Sequence, residues 1–237
     1  MLIEPTPHGL FCSAGGFHID PWQPVARAVI THAHGDHLRP GASHYLCAAP
    51  SVPVVRRRLP PEAHVTGMAY GETVVLDGVR VSFHPAGHVL GSAQVRVERG
   101  GEVWVASGDY KLAADPTCAP FEPVRCHTFV TEATFGLPVF RWQPTDVVID
   151  DIMAWWDEMQ RAHRPAVLFA YALGKTQRIL AELGRFTGPS WEQEDDLTLV
   201  TLEREEERKP VCLTPQSQPC SSTRRARTPA LSPSVAR

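Results

Sequence analysis

The sequence is short of several things, and each absence narrows its reading. Its six cysteines (Cys12, Cys47, Cys118, Cys126, Cys212 and Cys220) include no Cys-x-x-Cys pair, which makes a reducing cytoplasm the expected compartment. The start, Met1-Leu2-Ile3-Glu4-Pro5, lacks the charged and apolar regions of a signal peptide. No apolar stretch reaches the ~18 residues that would span a bilayer, so no membrane partner is expected. There is no surplus of one charge either: the net charge is −3 and the pI near 6.4, so any polyanion must be held by a local patch or by bound metal. No internal repeat appears at solenoid periods. What the chain does have, over 237 residues that are 43% hydrophobic, is enough apolar surface for a core and 11 histidines against 4 tyrosines.

The histidines concentrate in Thr31-His32-Ala33-His34-Gly35-Asp36-His37, which follows the apolar run Ala28-Val29-Ile30. Three imidazoles and a carboxylate at this spacing cannot all face one way on a helix or a strand. The segment therefore reads as a loop curled around one or two divalent metal ions. His32 and His34, two apart on an extended loop, can present their rings to one ion, while Asp36 and His37 turn toward a second a few ångströms away. A pair of ions ~3.5–4 Å apart suits phosphoryl or acyl hydrolysis.

From Met1 to about Glu132 the pattern is one of short strands and turns. Val74-Val75-Leu76, Asp77-Gly78 and Val79 to Phe83 predict a hairpin with a type I′ turn, and Gln94 to Glu98, Gly100-Gly101 and Val103 to Ala106 predict another. Past Pro144, Thr145 can cap a helix running to about Arg161. Val148, Ile152, Trp155 and Met159 lie on one face of it, widened by Ile149 and Trp156. Ala166 to Tyr171 reads as a buried strand, and Gly174-Lys175-Thr176 opens a second helix through Ile179, Leu180 and Leu183. Phe169 stands where a phosphate loop would need glycine, so the Gly-Lys-Thr turn is structural. Glu192 to Glu207 is mostly acidic, and Lys209 to Arg237 is rich in proline, serine and arginine, a composition that predicts disorder.

A metal site needs further ligands, and two polar residues beside glycines at strand ends supply them: His88 in Ala86-Gly87-His88 and Asp109 in Ser107-Gly108-Asp109. With Asp20 upstream and His88 and Asp109 following in order, the His-x-His-x-Asp-His loop resembles the metallo-β-lactamase superfamily. Val130-Thr131-Glu132-Ala133-Thr134-Phe135-Gly136 resembles the acidic motif that opens the β-CASP region of its nucleic-acid-processing members. Together with Leu10 to Asp20, Pro85 to Ser92 and Phe169 to Lys175, these segments are most similar to bacterial ligase-associated DNA exonucleases, relatives of the mRNA 3′-end processing and DNA cross-link repair nucleases. The similarity covers roughly residues 1 to 186.

The resemblance implies an α/β fold, an incomplete αββα sandwich over residues 1–143, with the start of a β-CASP domain over 144–186 and an unmatched tail over 187–237. It implies that His32, His34 and His88 hold one zinc, that Asp36 and His37 hold a second, and that Asp109 bridges them. Asp20 would orient the ligand loop from behind, and Glu132 would place substrate or assist proton delivery. The implied reaction is zinc-dependent phosphodiester hydrolysis, with Asp36, Asp109 and Glu132 as catalytic residues. DNA comes ahead of RNA as substrate, and a DNA ligase or helicase is the associated partner.

The chain departs from that family near its end. The only histidine after residue 130 is His163, so two later histidine motifs, one of which completes the second metal site, have no match. Trp191 to Val200 instead resembles the terminal strand segment of sporulation-type serine phosphatases. Other readings are an RNA-processing β-CASP nuclease, a hydrolase of thioesters, lactones or β-lactams, and a metal-binding remnant without turnover. The Glu132 and Tyr171 to Lys175 segments argue against a small substrate, which has no need of them.

Overall fold

A computed structural model describes residues 1–187 of the chain, and the acidic segment, the phosphatase-like stretch and the tail, at 188–237, lie outside the described residues. Among the described residues there are eleven β-strands and three α-helices. The first sheet runs β1 (Glu4–Thr6), β2 (Gly9–Cys12), β3 (Phe17–Ile19), β4 (Arg27–Ile30), β5 (His44–Ala48) and β6 (His64–Met68) in that order, antiparallel up to β3 and parallel from β3 to β6. The second contains β7 (Thr73–Leu76), β8 (Val79–Pro85), β9 (Ala93–Arg99), β10 (Glu102–Ala106) and β11 (Thr128–Val130). It is antiparallel except for the β10–β11 pair.

Both predicted hairpins form. Asp77 and Gly78 have φ of 47° and 83°, and Gly100 and Gly101 have 58° and 84°, the pair of positive angles that a type I′ turn requires. The two-residue loops fix the register so that Val79, Val81 and Phe83 of β8 and Ala93, Val95 and Val97 of β9 turn inward. There they share one core with Phe17, Ile19 and Val29 of the first sheet. The opposite face of the first sheet carries a second core, in which Ala28, Ile30, Tyr45 and Cys47 meet Val55 of α1 (Val52–Arg58). Burial pushes the Cys47 thiol up to about 12.

The expected αββα sandwich is not what the chain adopts. Among the described residues strands outnumber α-helices eleven to three, and the seven-residue α1 lies against β6. The physical reason lies in the connections. Two-residue turns join β7 to β8 and β9 to β10, and the long link from β10 to β11 carries Pro116, Pro120 and Pro123, which bar a helix there. The other two helices, α2 (Thr145–Arg161) and α3 (Lys175–Thr187), pack on each other.

Helix α2 has the predicted span but begins one residue differently: Pro144 holds the cap position, and the Thr145 hydroxyl instead accepts a hydrogen bond from Arg178. Its buried residue is Ile149, whereas Val148 is 40% exposed. The strand predicted at Ala166 to Tyr171 does not form. A strand needs a neighbour to take its backbone hydrogen bonds, and no described strand lies beside this segment, which leaves Val167, Phe169 and Tyr171 exposed.

Phe83 has no exposed surface and sits between the sheets. Phe83→Ala is expected to cost about 3–5 kcal/mol of stability, read from denaturant unfolding. Val75→Ala, at an exposed position of edge strand β7, should change it by no more than about 0.5 kcal/mol.

Candidate metal centre

Strand β4 lies between parallel neighbours β3 and β5 and is buried from Ala28 to Ile30, so it delivers Thr31 to His37 from a fixed base. The loop turns at once, with His37 and Leu38 donating their backbone N–H groups to the His34 carbonyl (3.1 and 2.8 Å). From the second sheet comes His88, in the loop between β8 and β9. The Ser92 hydroxyl oxygen accepts the N–H groups of His88 and Val89 there (3.0 and 3.1 Å). Asp109 follows β10. The two sheets are tied at this point by the Ala93 N–H, which donates to the Thr31 carbonyl at 2.8 Å.

These segments bring His32, His34, His88 and Asp109 together, one ligand atom of each lying within 4.8 Å of all the others. His32 Nε2 is 3.0 Å and His88 Nε2 3.2 Å from His34 Nδ1, and Asp109 Oδ2 is 3.4 Å from His88 Nε2 and 3.7 Å from His32 Nε2. Zinc bond lengths of about 2.0–2.2 Å put the edge of a tetrahedral ligand shell at about 3.3–3.6 Å. The observed separations bracket that edge, and three imidazole nitrogens with one carboxylate oxygen make a donor set that a borderline divalent ion accepts. The residues fit a metal ion.

Beside this group stand Asp36 and His37. His37 Nε2 is 3.2 Å from Asp109 Oδ1 and 3.7 Å from Asp36 Oδ2. The two oxygens of Asp109 thus face different sets of residues. The Asp36 side chain is largely exposed, whereas that of His37 is 15% exposed.

The orientation of the rings is set by their outer nitrogens. Asp20, held at φ 44° after β3, accepts the Thr31 N–H at 2.8 Å, the Thr31 hydroxyl at 2.5 Å and His37 Nδ1–H at 2.7 Å. Because the Thr31 hydroxyl proton points to Asp20, its oxygen is left to accept from His32 Nδ1, 3.1 Å away. His34 Nε2–H donates to the carbonyl of Leu173 at 3.2 Å, which leaves Nδ1 as its free lone pair. Burial first, then the neighbouring imidazoles, holds His32 well below its ordinary pKa, and burial lowers His88. Burial also opposes charge on His37, but hydrogen bonds with Asp109 and Asp20 outweigh it and push that ring up to about 10. For Asp109, burial works upward and is outweighed by His37, so its carboxyl lies below the usual range. Neutral His32 and His88 beside an ionised Asp109 is the protonation state that a metal ion requires, whereas His37 would have to give up its proton to ligate a second ion.

Glu132 is not among the four residues that converge within 4.8 Å. Its backbone N–H donates to the Ser107 hydroxyl at 3.2 Å, two residues before Asp109, but its carboxylate accepts from the Thr134 hydroxyl. His163 lies just after α2 and donates its N–H to Gln160, with no described contact to the cluster. Sequence reasoning missed two contributors. Thr31, directly before His32, was legible as a polar residue at the strand end, but the Leu173 carbonyl, 139 residues from its partner, leaves no side-chain signal.

Gly108 has φ 53°, and a Cβ there would lie 2.6 Å from both Cβ and Oγ1 of Thr31. Gly108→Ala should therefore disturb the Thr31–Asp20 pair while costing more than about 1 kcal/mol in a thermal melt. Asp20→Asn should keep the fold and lower metal affinity about 10- to 100-fold, measured by competition with a chromogenic chelator.

No family model matches the chain. A probable DNA ligase of Opitutus terrae is 34% identical over 181 residues, covering 74% of this chain and 17% of that protein. The endoribonuclease YSH1 of Yarrowia lipolytica is 30% identical over 134 residues, covering 54% of this chain and 15% of that protein, and that of Gibberella zeae is 27% identical over 129 residues, covering 52% and 15%. The chain therefore spans about a sixth of the length of the curated relatives it matches. Their names place both kinds of relative in nucleic-acid chemistry.

Proposed function

We propose that the chain carries the metal centre of a zinc-dependent phosphodiesterase that acts on nucleic acid, a DNA exonuclease of ligation-associated repair related to the β-CASP nucleases. The observation that carries this reading is the convergence of His32, His34, His88 and Asp109 within 4.8 Å, with Asp36 and His37 alongside. His32, His34, His88 and Asp109 would hold the first ion, and Asp36, His37 and Asp109 would contribute to a second. A zinc bound there supplies Lewis-acid polarisation of a phosphoryl oxygen and makes a bound water more acidic.

The chain's own residues supply alignment. Asp20 fixes His37 and, through Thr31, His32. The Leu173 carbonyl fixes His34. In this reading residues 1–143 supply the metal loops and 144–186 begin the part that faces substrate, and Glu132 would help place substrate or assist proton delivery. A probable DNA ligase containing a stretch similar to this chain supports DNA as substrate and ligation as the neighbouring step. The YSH1 relatives favour RNA as the second reading. No described helix is long and apolar enough to cross a membrane, and Cys12, Cys47, Cys118 and Cys126 are free thiols, which suits a reducing cytoplasm.

The purified chain, dialysed and assayed for metal, is expected to retain close to one zinc, because the second set lacks a further histidine. His34→Ala should lose that ion, and Asp36→Asn should keep it. Two tightly held ions would refute the asymmetry. Incubated with labelled DNA, RNA and a chromogenic ester or lactam, the chain should cleave DNA slowly, since two-ion catalysis needs both ions placed. A chelator or His34→Ala should stop it. Ester or lactam turnover without nucleic-acid cleavage would sink the nuclease reading.

A further inference from the structure

We propose that Tyr171 and Lys175 form a platform beside the metal centre that takes one unpaired nucleobase and its phosphate, an inference that rests on the reading of nucleic acid as substrate. Tyr171 is 74% exposed, and the Lys175 ammonium lies 5.2 Å from its ring centroid. An exposed tyrosine is unremarkable by itself. Here the backbone that carries it is locked without covering the ring.

The Tyr171 carbonyl accepts hydrogen bonds from both the N–H and the hydroxyl of Thr176 (3.2 and 2.8 Å). Gln177 closes the turn from the other side, its Oε1 accepting the Gly174 N–H at 2.7 Å and its Nε2 donating to the Ala172 carbonyl at 2.8 Å. Ring and ammonium are thus presented on a rigid turn, which lowers the entropy lost on binding.

The turn also sits against both ligand loops. The Leu173 carbonyl takes the His34 proton. Gly174, at φ 96°, is so close to Val89 that a Cβ would come within 2.7 Å of its Cγ1, and Val89 follows His88. Tyr171 is two residues from Leu173, at most about 7 Å of chain. A base stacked on Tyr171 would therefore lie on the side of the cluster where the Leu173 carbonyl meets His34. Charge points the same way. Lys111 and Arg178 share Asp115 (3.2 and 3.6 Å), whereas the contact made by Lys175 is with the ring, leaving its charge free for an anion. Stacking reads the face of a base and tolerates any sequence, but it requires that the base be unpaired.

The test measures binding of a fluorescein-labelled oligothymidylate to the full chain by anisotropy, in chelator so that no cleavage intervenes. Tyr171→Leu, which keeps an apolar side chain, should weaken binding about 5- to 100-fold, and Tyr171→Phe should restore it. Lys175→Gln should weaken binding and reduce the slope of log affinity against log salt by about 0.7. A blunt duplex should bind less tightly than the single strand, and a ribo-oligonucleotide should depend on Tyr171 in the same way. Wild-type affinity in Tyr171→Leu, or equal affinity for blunt duplex and single strand, would overturn the platform. Zinc-dependent cleavage with an unchanged KM in Tyr171→Leu would overturn the platform and leave the nuclease standing. Binding that depends on Tyr171 with no cleavage in zinc would do the reverse.

Discussion

The Asp20 carboxylate is the constraint on which the metal centre depends. Three ring nitrogens and one carboxylate oxygen that face one another at 3.0–3.7 Å gain little from that proximity without an ion, because lone pairs repel. What keeps the rings in place is the grip on their far sides. Asp20 accepts three protons, two from Thr31 and one from His37, and passes its orientation to His32 through the Thr31 hydroxyl. The same residue takes a backbone bond from Val29, its N–H donating to that carbonyl at 3.0 Å, so the carboxylate is anchored to the strand that launches the loop. Ligand geometry is thereby inherited from the first sheet, and the cross-link from Ala93 to Thr31 registers the second sheet, with His88 and Asp109, against it.

The parts of this arrangement that the sequence disclosed are those written in local spacing. His32, His34, Asp36 and His37 stand within six residues, and no regular element can use all four side chains at once. Asp77-Gly78 and Gly100-Gly101 announce their hairpins because few residue pairs tolerate two consecutive positive φ angles. His88 and Asp109 were legible as polar residues next to glycines at strand ends. The parts that were not legible are tertiary. Ala166 to Tyr171 has the composition of a buried strand, yet composition cannot supply the neighbouring strand that would pair with it. Among the described residues the helical layers of the expected sandwich are missing because β7–β8 and β9–β10 are joined by two-residue turns and the β10–β11 link is broken by prolines, and Glu132 carried a resemblance but no distance.

The two halves of the site differ in how much of their environment this chain provides. His32 is fully buried and His88 partly so, and the tautomers of His32 and His34 are each set by a described partner. On the other side, His37 is well held, but Asp36 has most of its side chain in solvent, its Oδ2 3.7 Å from His37 Nε2. A carboxylate in that position has the conformational freedom that an ion would have to remove. The asymmetry is physical as well as a matter of counting histidines, and Asp109, with one oxygen toward each half, is the residue through which the filling of one half would be felt by the other.

Exposure also bears on the size of what the centre can accept. A site built for a small ester or lactam encloses its substrate in a largely apolar cavity. A cavity of about 330 Å³ does lie nearby, lined by Pro50, Tyr70, Leu90, Gly91 and residues 116–119, but none of the cluster residues lines it. The side chains of His88 and Asp109 are instead 26% and 27% exposed. An open centre of this kind would grip the proposed nucleic acid on one side only, and binding strength would then come from contacts repeated along its chain. With a net charge of −3, the overall field does not favour a polyanion, so the contacts of the proposed substrate would have to be local, at the two ligand loops and the turn packed against them.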